Sequence, residues 1–158
     1  MRFPKRARMR YLAAIAAFAI LSTGAVFAST DPDTPTALKG NILIGKMSKD
    51  GTYTPHYFSF VAGPGDVKLR ATLRPNSDGE VLKVTVQDQD GNQVAQVQDG
   101  TSNDKDSVLT KSFSLDAKKT LVLKIEGSAS FYGKRHPTYR IQLDGAVTLD
   151  KTLKPLNV

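Results

Sequence analysis

Most of this chain alternates apolar and polar residues over short runs that end in Gly, Pro, Asp or Asn. Phe58 and Phe60 flank Ser59. Val67, Leu69, Ala71 and Leu73 alternate with Lys68, Arg70 and Thr72. Leu82, Val84 and Val86 alternate with Lys83 and Thr85, Leu121, Leu123 and Ile125 with Val122 and Lys124, and Tyr139, Ile141 and Leu143 with Arg140 and Gln142. Successive side chains of a strand point to opposite faces, so a period of two describes strands with one buried face. Beyond residue 28 no segment keeps a helical period for ten residues. The pattern predicts about eight strands, at 40–46, 56–62, 66–74, 81–88, 93–98, 107–115, 119–126 and 137–144. Strands spaced this closely point to an all-β fold, a single antiparallel β-sandwich. The tail "AVTLDKTLKPLNV" can add one more strand.

The segment "VTVQDQDGNQVAQVQ", residues 84–98, tests the register. With Asp90-Gly91 as a two-residue turn, Val84 faces Val97, Val86 faces Ala95, Thr85 faces Gln96 and Lys83 faces Gln98. Apolar then meets apolar on one face and polar meets polar on the other. A slip of one residue sets Val84 against Gln96 and spoils the buried face. Asp-Gly also suits the type I′ turn, in which both central residues take positive φ. A helix-loop-helix calcium loop instead needs Gly sixth and Glu twelfth. Counted from Asp88, Gly91 is fourth and Asp99 is twelfth, so the sequence reads as a turn.

The first 28 residues read as an address. Arg2, Lys5, Arg6, Arg8 and Arg10 precede an apolar run at 11–27, which closes on Val26-Phe27-Ala28. A basic start, a short apolar middle and a small-residue exit describe a secretory signal peptide, here with cleavage expected after Ala28. No adjacent Arg pair precedes the run, which favours the general secretion route over the twin-arginine route. The expected organisation is a signal peptide at 1–28, a flexible proline-bearing leader at 29–37 and one domain at 38–158, with no membrane span after cleavage.

Cleavage changes the charge. Five of the 22 basic residues and none of the 15 acidic ones lie before residue 29, which leaves a net charge of +2. The basic pI therefore belongs largely to the targeting segment, and nucleic acid is not an expected partner. The chain has no cysteine, so no disulfide holds the fold. That suits a bacterial periplasm or exterior, where about 130 residues can bury a core unaided.

The runs "HYFSFVAGPGDVKLRATLRP", "VLKVTVQDQDGNQVAQ" and "LVLKIEGSASFYGKRHPTYRIQL" resemble the bacterial pre-peptidase C-terminal domain over about residues 41–144. That family reads as a Tyr/Phe strand, a Gly-containing turn, an alternating strand, a D-x-D-G-N hairpin and a closing Tyr strand. At the entry to the fourth strand, where the family carries an Asp-rich segment, this chain has Gly79-Glu80-Val81. The resemblance implies a jelly-roll-like β-sandwich that serves secreted peptidases as an accessory or binding unit.

Hydrolase machinery is not legible. The chain has no G-x-S-x-G elbow and no cysteine, and its two histidines, His56 and His136, stand 80 residues apart. The expectation is a non-catalytic binding or interaction module, with a structural envelope subunit or a small secreted hydrolase as alternatives. In an antiparallel sandwich, successive connections alternate between the two ends. Tight turns at 63–65, 89–92 and 116–118 then share one end, and longer loops at 47–55, 75–80, 99–106 and 127–136 share the other. Binding residues concentrate on longer loops. Two constellations fall there. Tyr53, His56, Phe131, Tyr132, Lys134, Arg135 and His136 offer stacking faces beside cations, suited to an anionic glycan, an envelope component or a protein partner. Asp78, Glu80, Asp99, Asn103, Asp104 and Asp106 offer oxygen ligands of the kind calcium takes, though turns are rich in such residues for local reasons. No other cofactor is indicated.

Overall fold

A computed structural model describes residues 27–47, 54–74, 80–100, 105–128 and 136–158. The described residues form nine strands and no helix: β1 (Thr36–Ala37), β2 (Ile42–Lys46), β3 (His56–Arg74), β4 (Val81–Gln87), β5 (Gln93–Gly100), β6 (Ser107–Leu115), β7 (Lys119–Ser128), β8 (Thr138–Val147) and β9 (Leu156–Asn157). The fold is all-β. Hydrogen bonds join the strands into one open sheet in the order β5-β4-β7-β3-β8-β2-β9, with β1 and β6 also paired to β3.

The spine of this sheet is a long bent ribbon. β3 is 19 residues long. Its first part, His56 to Ala62, pairs antiparallel with β7, and its second part, Gly65 to Leu73, pairs antiparallel with β6. β6 and β7 therefore follow one another along a single edge of β3. The bend falls at Gly63-Pro64-Gly65 and, opposite it, at Asp116-Ala117-Lys118. Gly63 and Gly65 take φ of 85° and 117°, values open to glycine and strained for other residues. Strands that pass through such a corner serve both halves of a folded sheet. The segments "GPG" and "DAK", expected as hairpin turns, are thus corners. Reversing the chain at either would break a ladder that instead runs on through both.

The corner divides the sheet into a first half, β5-β4-β7 with the start of β3 and β1, and a second half, β6 with the end of β3, β8, β2 and β9. Besides the corner itself and the link from β1 to β2, four connections cross between the halves: β2 to β3, β3 to β4, β5 to β6 and β7 to β8. All four leave from ends far from the corner. From Arg74 to Glu80 the chain reaches at most about 20 Å, whereas β3 laid flat would run about 60 Å. The sheet must double back, and its facing residues share one core. Phe58, Phe60, Leu121, Leu123, Leu82 and Val84 from the first half join Val67, Leu69, Leu73, Ile141, Leu143 and Leu43 from the second in a single buried cluster. The alternation read from the sequence is the alternation of burial.

The β4–β5 hairpin has the expected register: Val84 opposite Val97, Thr85 opposite Gln96 and Val86 opposite Ala95. Its turn is not the simple two-residue form. The register shifts by one after Val86, and among residues 88–92 only Gly91 has positive φ, at 83°. The Asp88 carboxylate explains the departure. It accepts the N–H groups of Asp90 and Asn92 at 3.0 and 2.8 Å and the Asn92 amide at 3.0 Å, a local network that wraps the backbone around one side chain. Residues 29–37, read from composition as a flexible leader, are hydrogen-bonded along β3. Ser29 bridges Tyr57, and Thr36–Ala37 runs parallel to Phe58 and Ser59. The tail does supply a strand, β9, parallel to Leu43 and Ile44.

Candidate functional site

Of the aromatic and cationic residues expected to form a site, Tyr53, Phe131, Tyr132, Lys134 and Arg135 lie outside the described residues. The two histidines are described. The alternating face of β3 puts His56 beside Phe58 on the core side, and its Nδ1 lies 3.2 Å from the hydroxyl of Tyr139 on β8. Burial pushes the His56 imidazole below its ordinary range and the Tyr139 hydroxyl above its own. His136 Nδ1 lies 3.1 Å from the Met47 carbonyl, so its ring is tied to the backbone next to β2.

The calcium set is not brought together where it is described. Asp78, Asn103 and Asp104 lie outside the described residues. Glu80 is fully buried at the entry to β4. Asp99 accepts the Ser107 hydroxyl. Asp106 meets the Arg74 guanidinium at 3.2 Å. Among the described residues no three His, Asp or Glu side chains converge as a metal site would require.

The register assembles a different cluster on the outer face of the second half. Along β3, Lys68, Arg70, Thr72 and Arg74 point away from the core. Pairing sets Arg70 opposite Gln142 and Thr110, and Thr72 opposite Arg140 and Val108. Arg140 in turn stands opposite Ile44 of β2. Arg70, Arg74 and Arg140 line a groove of about 440 Å³ with Thr72, Gln142 and Thr138. Only Arg74 has a carboxylate partner, Asp106; among the described residues Arg70 and Arg140 have none. Asp144, which follows Gln142 on the same face, is occupied by amides, from Asn41 at 3.1 Å and Gln142 at 2.7 Å.

The outer face of the first half is the opposite case. Glu126 lies 2.6 Å from Lys124 and 3.7 Å from Lys83, so charge there is paired internally. Among the described residues, guanidinium groups without a carboxylate partner distinguish the second half. A guanidinium presents a planar fork of donors that matches a carboxylate or phosphate with two parallel hydrogen bonds. Reading the sequence along one strand at a time missed this cluster, because each arginine occupies an ordinary polar position of its strand. The signal lay in the pairing of β3 with β8, which joins residues about 70 apart.

No family model matches the chain, and no curated protein is found to match it.

Proposed function

We propose that this chain is an exported, non-catalytic binding module that holds an anionic ligand on the arginine-bearing face of its sheet. The observation that carries this reading is the groove in which, among the described residues, Arg70 and Arg140 stand without carboxylate partners beside Arg74. Thr72, Thr138 and Gln142 supply neutral donors around the three charges. An acidic glycan or another anionic component of the bacterial envelope has the complementary chemistry. Thr138, the first residue of β8, lines the groove. A binding role suits the groove better than a catalytic one. Among the described residues that line it, the one carboxylate, Asp106, is engaged by Arg74, and none is a histidine.

The doubled sheet is read here as a two-layer, jelly-roll-like β-sandwich, and the resemblance to pre-peptidase C-terminal domains rests on the hairpin and strand motifs alone. Export follows from the basic start and apolar run before Ala28, with release into the periplasm or exterior by the general secretion route.

The test is retention on an immobilised polyuronate at low salt. The native protein should bind and elute as salt rises, and the double variant Arg70→Ser with Arg140→Ser should pass through while keeping its melting temperature. Equal retention of both proteins would reject the reading. The structural-subunit alternative draws on edge strands: among the described residues β5 pairs only with β4, β6 only with β3 and β9 only with β2. Open edges invite pairing with another chain. A molar mass of one chain at all concentrations, by light scattering, would count against it.

A further inference from the structure

A second cavity, of about 560 Å³, opens along the edge of β2 where the two halves of the sheet meet. Short elements create it. β9 covers only Leu43 and Ile44, and the last hydrogen bond on that edge runs from the Val158 N–H to the Ile44 carbonyl at 3.0 Å. Gly45 and Lys46 extend beyond that cover. At Gly45 the Tyr139 ring lies across the glycine, where a Cβ would stand 2.3 Å from it, so only backbone lines the cleft at this position. On the other side of the cavity is His56, from the first half. The volume falls within the range of small-molecule sites, about 300–1,000 Å³.

The lining has a definite chemistry. Without residues 27 and 28, Ile44, Gly45 and Val158 supply its apolar lining beside Thr138 and Asn157, and Lys46, exposed, brings a cation. Burial holds the Tyr139 hydroxyl protonated and keeps the His56 imidazole neutral near pH 7. The hydrogen bond with the Tyr139 hydroxyl occupies Nδ1, and Nε2 has no hydrogen-bond partner among the described residues. A half-buried imidazole and an ammonium group therefore share an apolar cavity. We propose that this cleft binds a carboxylic acid with an apolar chain, as its anion: the chain lies against Ile44, Gly45 and Val158, and the carboxylate meets Lys46 and His56. Phe27 and Ala28 also line the cleft, so the expected cleavage after Ala28 would widen its mouth. The cleft adjoins the arginine groove through Ile44 and Thr138, but none of the three arginines lines it and the proposal does not rest on them.

Titration calorimetry of the exported protein, with its N-terminus checked by mass, tests the proposal with octanoate, propionate and 1-octanol at pH 7.5. Octanoate should bind at a single saturable site, with propionate and 1-octanol each weaker by about tenfold or more, the scale of one charge-assisted hydrogen bond or a few buried methylenes. Val158→Trp, at a half-buried position outside the strands, should fill the cleft and abolish octanoate binding without lowering the melting temperature. Lys46→Gln should weaken octanoate and leave 1-octanol little changed. Arg70→Ser with Arg140→Ser should alter neither. The proposal is overturned if octanoate does not saturate at millimolar concentration, if 1-octanol binds as well, if binding survives Val158→Trp, or if it is lost with the two arginines.

Discussion

His56 and Tyr139 meet across the two halves of the bent sheet, with the imidazole Nδ1 3.2 Å from the phenol hydroxyl. His56 opens β3 and Tyr139 lies near the start of β8, so this one hydrogen bond ties the far ends of the halves together. It depends on Gly45, which the Tyr139 ring crosses at a distance that admits no Cβ. Gly45→Ala should displace the ring and break the bond. Tyr139→Phe, which keeps the ring, should cost about 1 kcal/mol, the usual net value of a partly buried hydrogen bond. Urea titration of both variants checks the order: the alanine should be the more damaging.

The same pair sets a pH dependence. The folded pKa of His56 lies below its ordinary 6.5 because burial disfavours the imidazolium. As pH falls below 6.5, the unfolded chain takes up its proton first, and stability is lost progressively down through the folded pKa. The urea midpoint should therefore decline between pH 7 and pH 5 in the native protein. His56→Gln should flatten that part of the profile. A native midpoint that rises over this range would contradict the assignment.

The corner makes the strictest demand on residue type. Gly63 has φ of 85°, and a Cβ there would stand 2.5 Å from the Ala117 carbonyl oxygen, a backbone atom that cannot turn aside. Gly145, with φ of 87°, would set its Cβ 2.2 Å from the Asp66 carbonyl oxygen. Alanine at either position should destabilise the fold by about 2 kcal/mol or more, combining left-handed strain with the clash. Gly91, also at positive φ but with nothing within 4 Å, isolates the strain alone. Gly91→Ala should be clearly milder than the other two, and melting curves of the three variants would reveal the ranking.

Asp88 organises the hairpin through its own backbone neighbours, and those hydrogen bonds, that of the Asn92 side chain first, hold its carboxyl below the ordinary value of 3.8. A depressed carboxyl pKa adds stability that is present above the unfolded pKa and lost as pH falls through the folded one. Asp88→Ala should lower the melting temperature at pH 7. Asp88→Asn keeps an acceptor oxygen and should lower it less. A carboxyl titration followed by NMR should find Asp88 below 3.8.

Strand positions were legible because burial on one face imposes a period of two, and the β4–β5 register was legible because Val84, Val86, Ala95 and Val97 must share a face. The corner was not. Gly63-Pro64-Gly65 carries the composition of a reversal, and only the continuing ladder from Ala62–Lys119 to Gly65–Leu115 distinguishes a bend from a turn. The pinned leader escaped for a similar reason. Ser29 and Thr36 are ordinary loop residues whose hydrogen bonds go to each other and to Tyr57. The arginine groove was hidden because its charges come from β3 and β8. Local composition draws attention to charge runs, whereas a sheet concentrates charge across strands.

Arg74 and Arg70 share a face of β3, yet they should differ in function. Arg74 directs its guanidinium at Asp106, 3.2 Å away, with 71% and 54% of the two side chains exposed. An exposed pair of this kind contributes about 0–1 kcal/mol to folding, so breaking it should leave the melting temperature nearly unchanged. Its larger effect is on the groove, because Asp106 neutralises one of three cations that an anion would meet. Asp106→Asn should therefore tighten retention on a polyuronate and raise the salt concentration needed for elution. Arg74→Ser removes a charge but also frees Asp106, and should weaken retention. Arg70→Ser removes a cation that has no carboxylate partner among the described residues, and should weaken it too. The Asp106→Asn and Arg70→Ser variants should converge with the native protein in high salt, where screening shortens the field of every exposed group to a few ångströms. If Asp106→Asn elutes at the same salt as the native protein, the groove does not meet the anion, and the binding surface must be sought elsewhere on the molecule.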